Sequence, residues 1–217
     1  MYSSLFRTGL GALLVLALSS SVFSADKTEK QADDILMREV SIIGSKSNVK
    51  SIAGSAAFLD VEDIREHTVD DINRILRRVP GVNIREEDGQ GLFPNISLRG
   101  VDPARSSKVT IMEDGILQAP APYSAPSAYY FPNTGRMSGI EVIKGSSQVK
   151  YGPHTTGGAI NFLSTPVPST QKLYSKSTFG FWNEIRNHTF FGNTTQLEGG
   201  GKVGYLIEYY KRSNNGF

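Results

Sequence analysis

The stretch Leu98–Pro166 constrains the fold more than any other part of this chain. It reads LRGVDPARSSKVTIMEDGILQAPAPYSAPSAYYFPNTGRMSGIEVIKGSSQVKYGPHTTGGAINFLSTP. Short apolar runs alternate there with Gly, Pro and Asp turns, which is the pattern of short strands joined by tight connections. Val109 and Ile111 lead into Glu113-Asp114-Gly115, a hairpin turn, and Ile116 and Leu117 return from it. Ile140, Val142 and Ile143 make a further strand, and Ala159, Ile160, Phe162 and Leu163 make the last. Two basic residues end apolar strands directly before glycines, in Arg99-Gly100 and Lys144-Gly145.

Upstream, the periodicity is helical before it becomes two. Asp60 can cap a short helix near Glu62–Glu66. Thr68 can cap a second, with Asp71 three residues on as in a capping box. Val69, Ile72, Ile75, Leu76 and Val79 recur on one face of that second helix, and Pro80-Gly81 ends it. Val82 with Ile84, and Ile96 with Leu98, then read as two strands, and Ala56–Leu59 as an earlier one. The expectation is a compact α+β domain, a mixed sheet of four-stranded type with short helices, ending at the Pro166-Val-Pro168 boundary.

The first 24 residues read as a secretory signal peptide. Arg7 is the positive n-region, Leu10–Leu18 the apolar h-region, and Val22 and Ser24 suit cleavage after Ser24. The apolar run is about half of the ~20 residues that a spanning helix needs. Residues 25–48 form a charged arm. Within it, Met37–Gly44 (MREVSIIG) is β-prone through Val40, Ile42 and Ile43 and stops at Gly44. A short strand on an arm suits β-augmentation of a partner sheet, and an ordinary edge strand of the domain itself is the alternative.

Beyond Pro168 the character shifts again. Leu173–Trp182, His188–Leu197 and Lys202–Arg212 are each about the length of a tilted membrane strand. In the third, Val203, Tyr205, Ile207 and Tyr209 share one face, with Lys202, Gly204, Glu208 and Arg212 on the other. Such alternation fits the wall of a membrane barrel, and a soluble meander is the alternative.

The chemistry-bearing residue types narrow the function classes. There are no cysteines, so disulfides, thiol catalysis and Cys-ligated zinc are excluded. The charge balance, 23 basic against 21 acidic side chains, gives no clustered basic excess of the kind a nucleic-acid surface shows. His67, His154 and His188 lack metal-ligand spacing. Gly199-x-Gly201-x-x-Gly204 matches a dinucleotide-binding pattern literally, but it is followed by a strand, so it reads as a hairpin turn. No nucleophile elbow or P-loop occurs, and no enzymatic activity is expected.

Two features are left as candidate sites. Arg99 and Lys144, each at a strand end, would be partly buried against whatever surrounds the domain and would then need an acidic partner; plain surface charges are the alternative. The loop Ala119–Arg136 is stiffened by four prolines and presents Tyr123, Tyr129, Tyr130 and Phe131 beside Arg136. Those residues suit a bulky polar or anionic ligand, and a covered connection packed on the sheet is the alternative.

VPGVNIREEDGQGLFPNISLRGVDPARSSKVTIMEDGI, followed by GIEVIKGSSQVKYGPHTTGGAINFLSTP, resembles the plug domain of TonB-dependent outer-membrane receptors, and DGILQAPAPYSAPSAYYFPNTGRM resembles more narrowly the ferric dicitrate branch. The resemblance implies a plug at 49–166 inside a barrel of about 22 strands, with residues 167–217 as its first antiparallel strands, left incomplete. It implies that Arg38, Glu39, Val40, Ser41, Ile42, Ile43 and Gly44 form the TonB box, which pairs with periplasmic TonB and its inner-membrane energy-coupling complex. Arg99 and Lys144 match the basic positions that lock a plug to acidic residues of its barrel. Arg105, Gln118, Tyr123, Tyr129, Tyr130 and Arg136 are the implied contacts for a ferric chelate, which is cargo; no resident cofactor or metal is implied. The implied location is the outer membrane, with lipid around the barrel strands. Only a short arm precedes the box, so signalling through an added N-terminal domain is not expected. With room for only three or four strands after the plug, the chain as given is not expected to transport by itself. The competing expectation is a standalone periplasmic module that binds a chelate or TonB.

Overall fold

The computed structural model describes residues 41–66, 71–89, 91–119, 131–152 and 155–216. Residues 1–24, read above as a signal peptide, and Arg38, Glu39, Val40, His67, Thr68, Tyr123, Tyr129, Tyr130 and His154 lie outside the described residues.

The plug is built on one mixed sheet. Its strands are β1 (Ser55–Asp60), β4 (Val109–Glu113), β5 (Ile116–Ala119), β6 (Gly139–Lys144) and β7 (Gly158–Leu163), in spatial order β1-β6-β7-β4-β5. Only β4 and β7 run parallel; every other neighbour is antiparallel. The sheet has five strands, not four, because β1 extends one edge and the β5 return strand the other. The β4–β5 turn places Asp114 and Gly115 both at positive φ (49° and 77°), as a two-residue hairpin demands. A separate hairpin pairs β2 (Val82–Arg85) with β3 (Asn95–Leu98).

Period-two alternation sorts the residues of the central strands onto two faces. Ile140 and Val142 of β6, Ile160 and Phe162 of β7, and Val109 and Ile111 of β4 point one way. They form a continuous core with Ile64, Ile72, Ile75, Leu76 and Val79 of the helical region and with Ile96 and Leu98 of β3. Burying each such side chain is worth about 1.5–3 kcal/mol. The opposite face carries polar side chains at its centre, Thr110, Glu141 and Asn161, all buried.

Two short helices close the first face. Helix α1 (Val61–Arg65) starts at Asp60, which forms a reciprocal capping box with Asp63. Helix α2 (Ile72–Leu76) is capped by Asp71; Thr68, the expected cap, lies outside the described residues. Asp71 has extended backbone (φ −84°, ψ 112°) and its carboxylate accepts from Asn73 N, the geometry of an N-cap. Ahead of β1, Lys46–Ser51 forms a 3-10 helix.

Three long strands follow: β8 (Lys172–Phe179), β9 (Ile185–Gln196) and β10 (Lys202–Ser213). They form an antiparallel sheet in the order β10-β9-β8. The Gly-rich motif is the β9–β10 turn, closed by Leu197 N donating to Gly201 O at 2.8 Å. On the face turned to the plug lie Tyr174, His188, Phe190, Glu208 and Tyr210. On the other face Leu173, Phe191 and Ile207 align across the strands, with Val203, Tyr205 and Tyr209 nearby; Leu173 and Ile207 are 72% and 69% exposed.

Candidate functional site

At one end of the plug sheet Arg99 and Lys144 come together. Arg99 follows β3 in the left-handed region (φ 56°), a conformation that a non-glycine residue adopts only when its surroundings hold it. Its N–H donates to Gly81 O at 2.9 Å. Gly145 (φ 115°) is where the chain turns after β6. A Cβ there would stand 3.5 Å from both guanidinium nitrogens of Arg99, so the guanidinium lies over this glycine, beside Lys144. Lys144 Nζ donates to Pro80 O at 2.6 Å, and the residue is only 5% exposed. The Pro80-Gly81 turn that stops the helical region thus holds both residues through two successive carbonyls, Lys144 by its ammonium and Arg99 by its backbone N–H. Burial, and then the charge of Arg99, push the Lys144 ammonium below its ordinary pKa. Among the described residues neither cation has a carboxylate within salt-bridge distance. Two adjacent cations, one of them buried, make a strong site for an anionic group.

On the polar face of the sheet, the single carboxylate in the run Gly-Ile-Glu-Val-Ile-Lys-Gly is the centre of a second site. Glu141 is fully buried. Its Oε1 accepts from Ser41 Oγ (2.5 Å), Ile43 N (2.7 Å) and Gly44 N (3.0 Å), and its Oε2 from Ile42 N (2.8 Å) and Asn161 Nδ2 (2.9 Å). Three successive backbone N–H groups converging on one anion form a nest. The convergence requires a bend at Ile42–Ile43 and positive φ at Gly44 (81°), so this part of the predicted β-prone segment is not a strand here. Ile43 is buried beneath the turn. Each buried donor left without its acceptor would cost about 1–3 kcal/mol.

The remaining ligand candidates are not gathered into one constellation. Arg105, also left-handed (φ 49°), is ion-paired to Glu87 at 2.6 Å and stacks over Phe93 with 5.8 Å to the ring centroid. Arg136 is ion-paired to Glu113. Gln118 lies on the edge strand β5. A cleft of about 590 Å³ is lined by Phe131, Pro132, Asn133 and Thr134 at the end of the aromatic loop, by Leu92, and by the last residues of β10, but by none of these three candidates.

Sequence reasoning missed the seam between the plug and the long strands. Glu208 of β10 accepts from Thr165 Oγ1 at 2.5 Å and lies 2.8 Å from His188 Nε2. His188 is packed among the rings of Tyr174, Phe190 and Tyr210. The Arg65 guanidinium lies 4.8 Å from the Tyr174 centroid. The available signal for Glu208 was its place on the polar face of a strand whose other face is apolar.

Comparison with known proteins decides the family. The family described as TonB-dependent Receptor Plug Domain matches residues 48–159, more than half of the chain. The chain belongs to this plug-domain family. It is 28% identical over 206 residues to the pesticin receptor of Yersinia enterocolitica, covering 89% of this chain and 28% of that protein. It is 23% identical over 195 residues to the vitamin B12 transporter BtuB of Vibrio vulnificus, covering 90% of this chain and 31% of that protein. The plug-domain chain therefore spans under a third of the length of the curated relatives it matches. Among solved structures it is similar to the ferric citrate transporter FecA in its unliganded form. The TM-score is 0.62 at 26% identity, over 79% of this chain and 27% of that one. The ferric yersiniabactin uptake receptor FyuA from Yersinia pestis shares the fold at TM-score 0.53 and 23% identity. The expected fold, a mixed-sheet plug followed by antiparallel barrel-type strands, is the fold observed.

Proposed function

We propose that this chain is the plug and the first wall strands of a TonB-dependent outer-membrane receptor for a ferric chelate. The observation that carries the reading is the two-faced sheet β8–β10. One face is occupied by contacts to the plug, and the other sets the exposed Leu173 and Ile207 in an apolar row with the half-buried Phe191. A periplasmic module would leave that row in water, whereas a barrel wall turns it to lipid. The likeness to FecA supports a ferric citrate-type ligand over other chelates.

In this reading Arg99 and Lys144 face acidic residues of the surrounding barrel and hold the plug in register. The aromatic loop, with Tyr123, Tyr129 and Tyr130, delivers ligand contacts to the cleft bordered by Phe131–Thr134. Arg105, Gln118 and Arg136 contribute only if their present partners yield. Arg38–Gly44 is the TonB box. The protein moves its ligand without changing bonds, so no nucleophile or proton relay is assigned.

Two measurements test this. Uptake of radiolabelled iron by cells that rely on this plug, carried within a complete barrel, rises with ferric citrate; no stimulation by citrate removes that ligand assignment. Capture of the chain by the periplasmic domain of TonB is lost on deletion of Arg38–Gly44; capture that survives the deletion removes the box assignment.

A further inference from the structure

A second cavity, of about 470 Å³, lies between the plug and the long-strand sheet and shares no lining residue with the cleft at Phe131–Thr134. Its apolar surface comes from three sources: Phe58 and Val61 of the plug, Pro166 and Pro168 of the linker, and Tyr174 and Phe190 of β8 and β9. Small-molecule sites span about 300–1,000 Å³ and combine such a lining with a few polar groups. Here nearly all the polar side chains are engaged. Asp60, the one acidic residue of the lining, accepts from Asp63 N at 2.9 Å and pairs with Lys46 at 2.7 Å. Lys46 is shared with Asp63, also at 2.7 Å. Ser45 Oγ is bonded to Ser47 Oγ, Ser138 Oγ to the Leu163 and Ser164 carbonyls, and Thr165 Oγ1 to Glu208. Two cations are left. Arg65, half-buried at the end of α1, lays the flat face of its guanidinium on the Tyr174 ring, a contact that does not use its N–H edge. Lys172 opens β8 on the strand face that carries Tyr174. Among the described residues neither has a carboxylate within salt-bridge distance.

We infer that this cavity binds an apolar acid: a small amphiphile with one anionic head, held by Arg65 and Lys172, and an apolar body lying on Phe58, Val61, Pro166 and Phe190. The inventory of groups selects that class. A ligand rich in hydroxyls or carboxylates would meet no further unspent side-chain donor and would press its polar groups against an apolar floor, at the cost of their desolvation. An uncharged apolar ligand would leave both cations without a counter-charge. The charge of the lining agrees, with Lys46, Arg65 and Lys172 set against Asp60 alone. The site therefore takes a molecule unlike a hydrophilic ferric chelate, and the inference goes beyond the transport reading without depending on it. Because the lining is drawn from both the plug and the long strands, an occupied cavity ties one to the other, and binding stabilises that contact by mass action.

The test is photolabelling of the full chain, held in a neutral detergent, with 4-benzoylbenzoate, an aryl monocarboxylate that inserts into nearby C–H bonds on illumination. Labelling is read by mass spectrometry on the segment Phe58–Arg65, which belongs to the plug and so excludes insertion at the outer apolar row of Leu173 and Ile207. Uncharged benzophenone is the control for apolar partitioning. The carboxylate probe is expected to label Phe58–Arg65 about tenfold more than benzophenone does. Labelling is expected to fall about threefold in Lys172→Gln, an exposed position where a lost charge costs little else, and about tenfold in Arg65→Gln. Lys172→Arg should restore it. An excess of 2-naphthoate should suppress the label, whereas 2-naphthamide and ferric citrate should not. Equal labelling by the two probes, or labelling unmoved in Lys172→Gln and Arg65→Gln alike, overturns the inference. Suppression by 2-naphthamide as strong as by 2-naphthoate overturns the acid requirement. Suppression by ferric citrate would make the cavity a cargo site, and suppression by vesicles of an anionic two-chained lipid but not by 2-naphthoate would make it a headgroup site; either overturns the assignment to a small apolar acid. If Arg65→Gln fails to fold, Lys172→Gln with its Lys172→Arg rescue decides alone. Failure of citrate to stimulate iron uptake leaves this result untouched, so the two readings fall separately.

Discussion

Tyr210 of β10 occupies the space that a side chain at Gly135 would need. A Cβ on Gly135 would stand 2.6 Å from both Cζ and Oη of the ring, closer than real Cβ contacts come. The long-strand sheet is seated on the plug at the one residue of the 3-10 turn Thr134–Arg136 that has no side chain.

Gly135→Ala should therefore lift the Tyr210 ring and destabilise the chain by about 1–3 kcal/mol, the usual range for overpacking. Tyr210→Ala in the same background should recover part of that loss. A double-mutant cycle by chemical denaturation checks it, and additivity within about 0.5 kcal/mol would show that the two residues do not touch. Gly158→Ala should be worse and not rescued by any side-chain change. There the obstacles include the Ile143 carbonyl at 2.6 Å, and φ is 153°.

Lys144 sets an alkaline pH dependence. Its folded pKa lies below the ordinary 10.5, because burial and Arg99 disfavour the charged form. Between the folded value and 10.5 the unfolded chain binds more protons than the native one, so stability rises with pH across that window. Above 10.5 both states are neutral at this site and the penalty is gone. Relative to Lys144→Gln, the parent chain should gain stability as pH climbs towards 10.5. A flat difference across that range would mean that the ammonium is not held in a buried, like-charged setting.

Asp60 gives the opposite dependence. Burial raises its pKa, but Lys46 at 2.7 Å and the donated Asp63 N–H outweigh that and hold it below the ordinary 3.8. A depressed carboxyl stabilises above its unfolded pKa and loses that contribution as pH falls through the folded one. Asp60→Ala should cost about 0.5–2 kcal/mol at neutral pH through the lost N-cap. Against Asp60→Asn, which can still cap, the advantage of the parent should shrink as pH drops below 3.8.

Thr165 fastens the start of the long strands. Its hydroxyl donates to Glu208 Oε1 and has the Arg136 carbonyl 3.0 Å away as a second acceptor. Thr165→Val should cost about 1–2 kcal/mol by leaving Glu208 with an unmet acceptor, and Thr165→Ser should restore most of it. Limited proteolysis across Pro166–Lys172 reads the loosening directly.

Much of this fold was legible because its signals are local. Glu113-Asp114-Gly115 can only be a tight turn between the two apolar runs beside it, and the alternation of β10 announced two faces. Arg99 and Lys144 were legible as odd charges at strand ends, but their adjacency was not, since it depends on β3 and β6 meeting at the Pro80-Gly81 turn. Asp71 was legible as a capping-box residue, but its own place as the N-cap of α2 is set by its extended backbone, which its residue type does not reveal. Glu141 was overlooked although a lone carboxylate inside GIEVIKG cannot be buried without donors. Those donors are backbone N–H groups about a hundred residues away, and backbone groups carry no mark in a sequence.

The sequence distance across the Glu141 nest also fixes an order of events during folding. The carboxylate cannot accept from Ser41–Gly44 until β6 has been made, and its second anchor, Asn161, arrives later still on β7. Closing so long a loop is entropically slow, and it belongs to the late, non-local part of assembly. Ser41–Gly44 is thus the first of these to be synthesised and among the last to find its place, so its protection from exchange marks the moment at which the plug is complete.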